Sequence, residues 1–329
     1  LKPELNFKSC SPEEKGLDTS LLEELRAKLN HNEIRGCLVL RKGGIVFDYY
    51  QTEDIKASRQ KINSCTKSIL SALFGAALNK GLVRDIDIPA AEYFREYPVW
   101  ADERKKRITL RHLLTMTSGL SWDEAGERLF IRARDNEGDV IKYILSREMV
   151  NEPGTSMKYN SGCSQLLSAV IQKAAGLKTS AFAHEVLFKP LGITEFSWQE
   201  KQGVSIGGTG IELTHLDMLK FGYLFLSGGY MGGQRIISED WVRRSTAPHV
   251  FTNSEKLGYG YHWWCASTGG PDAELAFFYA MGFGGQLIIV LPEVDMVVVF
   301  TGRTRKDPFL PMRLFLEYIL KAVKPPPSG

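Results

Sequence analysis

Apolar positions fall into two kinds of pattern along this chain: short β-branched and aromatic runs near both ends, and helically spaced runs between them. Ser20-Leu21-Leu22-Glu23 has the form of a capping box and opens an amphipathic helix to about Asn30. Cys37–Leu40 and Ile45–Phe47 flank Lys42-Gly43-Gly44 and read as a β-hairpin. An apolar helix follows Ser64 and closes at Gly81. From Asp85 to about Pro190 the strand signal disappears, and Ile108–Met116, Val140–Ser146 and Ser164–Ala175 read as helices. Thr214–Leu226 is helical up to Gly228-Gly229, and Ser238 opens a short helix. Strand signal returns at Tyr259–Trp264, at Leu275–Phe283 and Leu287–Leu291 around Gly284-Gly285, and at Met296–Thr301. Pro311–Val323 closes as a helix before a Pro-rich tail, Lys324-Pro325-Pro326-Pro327.

Strands at both ends with helices between predict an α/β (α+β) fold: a central antiparallel sheet flanked by helices, with an all-helical subdomain inserted. The expected division is a discontinuous sheet-plus-helix unit, 1–84 and 200–329, and a helical unit, 85–199, acting as one catalytic whole.

Composition changes this picture little. The chain has 329 residues, 43% hydrophobic and 24% charged, with a net charge of +3, which is ordinary for a globular protein able to bury a large core. Its charges are mixed, so no basic block points to nucleic acid, and no apolar stretch is long enough to span a bilayer. Five scattered cysteines, Cys10, Cys37, Cys65, Cys163 and Cys265, include no C-x-x-C; free thiols in a reducing compartment, such as the cytoplasm, are the simplest expectation. The chain starts at Leu1 rather than Met, so a removed signal would be invisible.

The chemistry concentrates at Ser64-Cys65-Thr66-Lys67, where a polar stretch turns into an apolar helix. One helical turn puts Ser64 and Lys67 on a shared face. Ser64 then sits at a helix N-terminus, which favours negative charge. The apolar run Ile69, Leu70, Leu73, Phe74, Ala77 and Leu78 draws Lys67 inward, and burial disfavours an ammonium, so the amine could accept the serine proton. S-x-x-K alone also fits a helix cap followed by a surface lysine, and a second copy, Ser58-Arg59-Gln60-Lys61, reads as a solvated loop. Tyr159, on a loop before a helix, is the candidate proton shuttle. Acyl transfer also needs an oxyanion hole. The N–H of Ser64 and that of Phe283, at the end of a strand, are the candidate donors, and Gly282 would let substrate approach the backbone. Trp122, Trp264 and Phe283 are candidate cleft-lining aromatics.

Rival constellations are weaker. Gly162-Cys163-Ser164-Gln165-Leu166 lacks the second glycine of a nucleophile elbow. Cys65 points about 100° around the helix from Ser64, and Cys163 lies near a helix start. Gly207-Gly208-Thr209-Gly210 lacks the Gly-Lys-Ser/Thr of a P-loop and reads as a bend. His31, His112, His184, His215, His249 and His262 show no metal spacing.

In this order, the motifs resemble the serine β-lactamase and penicillin-binding-protein superfamily, and its class C-like hydrolases in particular. The resemblance runs from Ser64-x-x-Lys67 through Ile108–Leu120, Leu213–Gly222 and Tyr259–Trp264 to Gly284-Gly285-Gln286 with Pro292-Glu293. It implies a β-lactamase/transpeptidase-like fold, Ser64 as nucleophile and Lys67 as base. Two departures stand out. The family's Tyr-x-Asn is here Tyr159-Asn160-Ser161, so Ser161 brings a hydroxyl to a substrate-facing position. The family's Lys-Thr-Gly is here Ala280-Met281-Gly282, and an alanine cannot supply the cation that lysine offers a substrate carboxylate. Tyr159–Gly162 with Gln165-Leu166-Leu167, and Gly282–Gln286, look closest to the branch of aminohexanoate-oligomer hydrolases and related esterases. The resemblance therefore implies a serine hydrolase of linear amides or esters, working through an acyl-enzyme with no metal or organic cofactor. The partner is a small ester, amide or peptide-like molecule. The alternatives are a penicillin-binding D-alanyl-D-alanine carboxypeptidase, a class C-like β-lactamase, and a catalytically silent binding protein on the same scaffold.

Overall fold

The computed structural model describes residues 7–98, 102–126, 138–252, 254, 256–268 and 275–324. Of the expected Pro-rich tail, only Lys324 lies among them.

Nine strands make the main sheet: β1 Lys8–Ser9, β2 Ile34–Arg41, β3 Gly44–Tyr50, β4 Val250–Phe251, β5 Leu257–Tyr259, β6 Trp264–Thr268, β7 Leu275–Gly282, β8 Gln286–Leu291 and β9 Met296–Gly302. Their spatial order is β1-β3-β2-β9-β8-β7-β6-β5-β4. Every neighbouring pair is antiparallel except β1 with β3, which is parallel. The sheet is thus mostly antiparallel. The join between chain ends is the β2–β9 pair, with Val39 opposite Val298.

Leu287-Ile288-Ile289-Val290-Leu291 has no polar alternation because both faces of the sheet are covered. On one face, α1 (Thr19–Asn30) and the C-terminal helix from Leu310 set Leu22, Leu25, Leu29, Phe315 and Ile319 against Val39, Ile289 and Val298. On the other, α2 (Thr66–Asn79), α3 (Ser161–Ala175) and α4 (His215–Leu226) pack over Leu38, Leu40, Ile288, Val290, Val297 and Val299. The odd and even positions of β2 thereby feed different cores, as a period of two requires. Residues 66–77 of α2 are buried all round.

Local details differ from the sequence reading for identifiable reasons. Asp18, not Ser20, caps α1, its carboxylate accepting from Ser20 N. Tyr259–Trp264 is not one strand: the chain reverses between β5 and β6, with His262 at φ 62°. The segment around Ser58 is not a plain loop, since Glu53–Ala57 is helical and Gln60–Lys61 pairs with Ile211–Leu213 in a small sheet that also holds Ser197–Trp198. The helix expected from Ser164 begins at Ser161, because the Asn160 side chain accepts from Gly162 N and Cys163 N.

Candidate active site

Asn63–Cys65 forms a single tight turn that leads into α2, so Ser64 stands at the mouth of the helix and Lys67 one turn inside. Lys67 is 1% exposed. Its Nζ has three oxygen partners: Ser64 Oγ at 3.1 Å, Ser161 Oγ at 3.0 Å and the Gly208 carbonyl at 3.0 Å. A primary ammonium could donate to all three, and a neutral amine could donate to Ser161 and Gly208 while turning its lone pair to Ser64 Oγ. The Tyr159 ring forms a further wall, its centre 4.7 Å from Nζ.

Two parts of this cage went unrecognised in the sequence. The first is Glu124. One of its carboxylate oxygens accepts from Ser161 Oγ at 2.6 Å, and the other from Ser161 N at 2.9 Å and Trp122 Nε1 at 2.8 Å. Lys67, Ser161 and Glu124 thus form a chain of hydrogen bonds ending in an acid. No motif spacing marks Glu124; only its nearness to Trp122 in sequence hinted at it. The second is the Gly207-Gly208 bend. A Cβ at Gly207 would lie 2.0 Å from the Ser164 carbonyl, and one at Gly208 would lie 3.0 Å from Ser161 Oγ and 3.3 Å from Lys67 Nζ. Glycine allows this backbone to press against α3 and offer its carbonyl to the lysine.

The remaining expected residues divide between the cleft and the core. Phe283 is exposed beside Ser64 in a cleft of about 760 Å³. Asn63 Nδ2 donates to the Phe283 carbonyl at 2.6 Å, tying the end of β7 to the serine turn. Gly282 is buried there, and a Cβ on it would meet the Ile62 carbonyl at 2.4 Å. Its lack of a side chain therefore serves the approach of strand to turn. Tyr159 stacks on Trp264 at 5.8 Å, and both line a neighbouring cavity of about 840 Å³ with His249 and Phe251. The Tyr159 hydroxyl makes no hydrogen bond among the described residues. Two expectations need correction. Trp122 does not line the cleft but is buried, its indole held by Glu124. Ser161 does not face open cleft, because its hydroxyl is enclosed between Lys67 and Glu124.

The rival nucleophiles are occupied elsewhere. Cys65 Sγ points to the Gln286 carbonyl, and burial raises its thiol far above the usual range. Burial pushes Cys163 up to about 12, and its Sγ faces Ser118 Oγ. All five cysteines are free. His262 is locked between Ser164 Oγ and the Leu114 carbonyl, each at 2.9 Å, and burial pulls it down to about 3. Among the described residues no cluster of His, Cys, Asp and Glu could hold a metal, and no helix is long and apolar enough to cross a membrane.

A helix-mouth serine facing a buried amine, beneath a mostly antiparallel sheet covered by helices, marks this chain as a serine hydrolase. The chain belongs to the beta-lactamase family, whose model matches residues 37–314. It is similar to the 6-aminohexanoate-dimer hydrolase of Paenarthrobacter ureafaciens, at 23% identity over 305 residues, covering 84% of this chain and 74% of that protein. Its fold is similar to a putative 6-aminohexanoate-dimer hydrolase from Bacillus anthracis, with a TM-score of 0.78 at 18% identity over 98% of this chain and 89% of that one. It is also similar to EstCE1, a hydrolase with promiscuous acyltransferase activity, with a TM-score of 0.75 at 15% identity over 93% and 98% of the two chains.

Proposed function

We propose that this enzyme hydrolyses linear amides or esters of small molecules through a Ser64 acyl-enzyme. The observation that carries the reading is the 3.1 Å contact between Ser64 Oγ and the buried Lys67 Nζ. In this mechanism neutral Lys67 takes the hydroxyl proton as Ser64 attacks the carbonyl. The N–H groups of Ser64 and Phe283 hold the oxyanion. Lys67 returns the proton to the leaving group, either directly or through Tyr159, whose ring already lies against the amine. Water then attacks the acyl-enzyme by the same route in reverse. Ser161 and Glu124 keep the amine on its line to Ser64. Gly282 lets β7 close on the serine turn, and Trp264, stacked on Tyr159, borders the neighbouring space open to substrate. Nucleic acid has no part in this reading.

Ala280 stands on β7, the strand that meets the serine turn, with no charge to offer a substrate carboxylate, so recognition of an anion falls to other residues of the cleft. The test is hydrolysis of a short-chain 4-nitrophenyl ester, followed by linear amides and a fluorescent penicillin. Turnover should vanish in Ser64→Ala, and stable acylation by the penicillin would favour the penicillin-binding alternative. Turnover kept by Ser64→Ala would refute the assignment of the nucleophile.

A further inference from the structure

The cleft at Ser64 is lined by an excess of cations: Arg35, Arg59, Lys61, Arg303 and Arg305, against Glu33 and Glu212. Two of these cations have counter-charges nearby. Arg59 pairs with Glu195 at 3.6 Å, and Lys61 lies opposite Glu212 in the small sheet. That leaves Arg35, Arg303 and Arg305, none of which forms an ion pair among the described residues.

The backbone gathers these three on one wall. Between Thr301–Gly36 and Gly302–Ile34 the β2–β9 register slips, leaving Arg35 without a partner on β9. A bulge of this kind re-aims a side chain. Arg303 and Arg305 follow β9 directly, fixed by hydrogen bonds from Arg303 N to the Glu33 carbonyl at 2.8 Å and from Thr304 N to the Gly284 carbonyl at 3.1 Å. The second bond places the wall next to the Phe283-Gly284 turn that borders Ser64. Burial and the like charge of Arg303 hold Arg35 below the usual guanidinium range. Guanidinium groups that line one cleft beside a reacting serine gain when an oxyanion lies between them, through charge-assisted and bidentate hydrogen bonds.

We infer that the substrate carries an oxyanionic group, a carboxylate or a phosphate, bound by Arg35, Arg303 and Arg305 while its ester or amide carbonyl lies at Ser64. This deepens the hydrolase reading and rests on it for the position of the carbonyl. The kinetic arm compares 4-nitrophenyl hydrogen glutarate with its neutral methyl ester. The wild type should favour the anionic ester at least about tenfold in kcat/KM at low salt, the size of one charge-assisted contact. Salt should shrink the ratio, and Arg303→Gln/Arg305→Gln should bring it to near one. Equal rates in the wild type, or a ratio that survives the double substitution, would overturn the inference.

The binding arm needs no turnover. Calorimetry on Ser64→Ala should detect glutarate or inorganic phosphate, whichever oxyanion the wall prefers, and the signal should be lost when Arg303→Gln/Arg305→Gln is added. If neither ester is hydrolysed by the wild type, the hydrolase reading fails. The anion site then stands if the calorimetric signal depends on the arginines, and falls if neither anion binds.

Discussion

Glu124→Gln tests the hydrogen-bond chain behind the lysine while changing almost no volume. The carboxylate accepts three hydrogen bonds, from Ser161 Oγ, Ser161 N and Trp122 Nε1. A carboxamide has one accepting oxygen, and that oxygen must stay with the two N–H donors. Its NH2 then faces Ser161 Oγ, which already receives a donor from Lys67 Nζ. The serine proton loses its acceptor, and the amine loses the charge at the far end of the chain. A hydrogen bond to a charged group contributes about 1.5–3 kcal/mol. If that support acts on the transition state, kcat falls about 10- to 150-fold. KM should change little, because Glu124 does not line the cleft. The assay is steady-state hydrolysis of a 4-nitrophenyl ester, with the melting temperature recorded in parallel. A folded Glu124→Gln enzyme with kcat within threefold of wild type would refute the claim that Glu124 positions Lys67 through Ser161.

Further outcomes follow from the same geometry. Gly207→Ala forces a Cβ to within 2.0 Å of the Ser164 carbonyl, a helix backbone atom that cannot swing aside; calorimetry should show a loss of about 1–3 kcal/mol or more in stability, with activity falling as Gly208 is pushed off the lysine. Burial lowers His262 to about 3 and His215 to about 4, from 6.5. The unfolded chain therefore binds more protons than the folded one below that value, and stability that is full above about pH 6.5 drains as pH falls toward 4 and 3. Urea midpoints across this range should drop steeply, and His262→Gln should flatten the slope; a flat wild-type profile would contradict it.

Much of the fold was legible because periodicity reports burial. Leu287–Leu291 and Met296–Thr301 read as strands, and Val140–Ser146 as a helix with the bounds it has in the structure. Misreadings arose where a single local contact outweighed the pattern. Asn160 starts α3 three residues early and so sets Ser161 against Lys67. The aromatic run Tyr259–Trp264 satisfies a strand pattern, yet Gly260 is pressed against the Ser245 carbonyl, where a Cβ would lie at 2.2 Å, and the chain must turn. Within the site, Ser64 and Lys67 were visible because their spacing is local. Glu124 and Gly208 were not, since Gly208 meets the lysine across 141 positions of sequence, Glu124 reaches it only through Ser161, 37 positions away, and neither carries a motif of its own.

The β2–β9 pair also shapes how the molecule is made. On the ribosome, β2 emerges with β3, but its other partner begins 255 residues after Arg41, at Met296. At 5–20 residues per second the wait is roughly 13–50 s. Throughout it, the nascent chain displays Ile34–Arg41 with one ladder of backbone groups unmatched, the kind of edge that recruits other chains. Helices α2, α3 and α4 are synthesised within that interval, before their main support, β8 and β9, exists. Until β9 arrives, shielding that half-built sheet is a burden that falls on synthesis rather than on the finished protein.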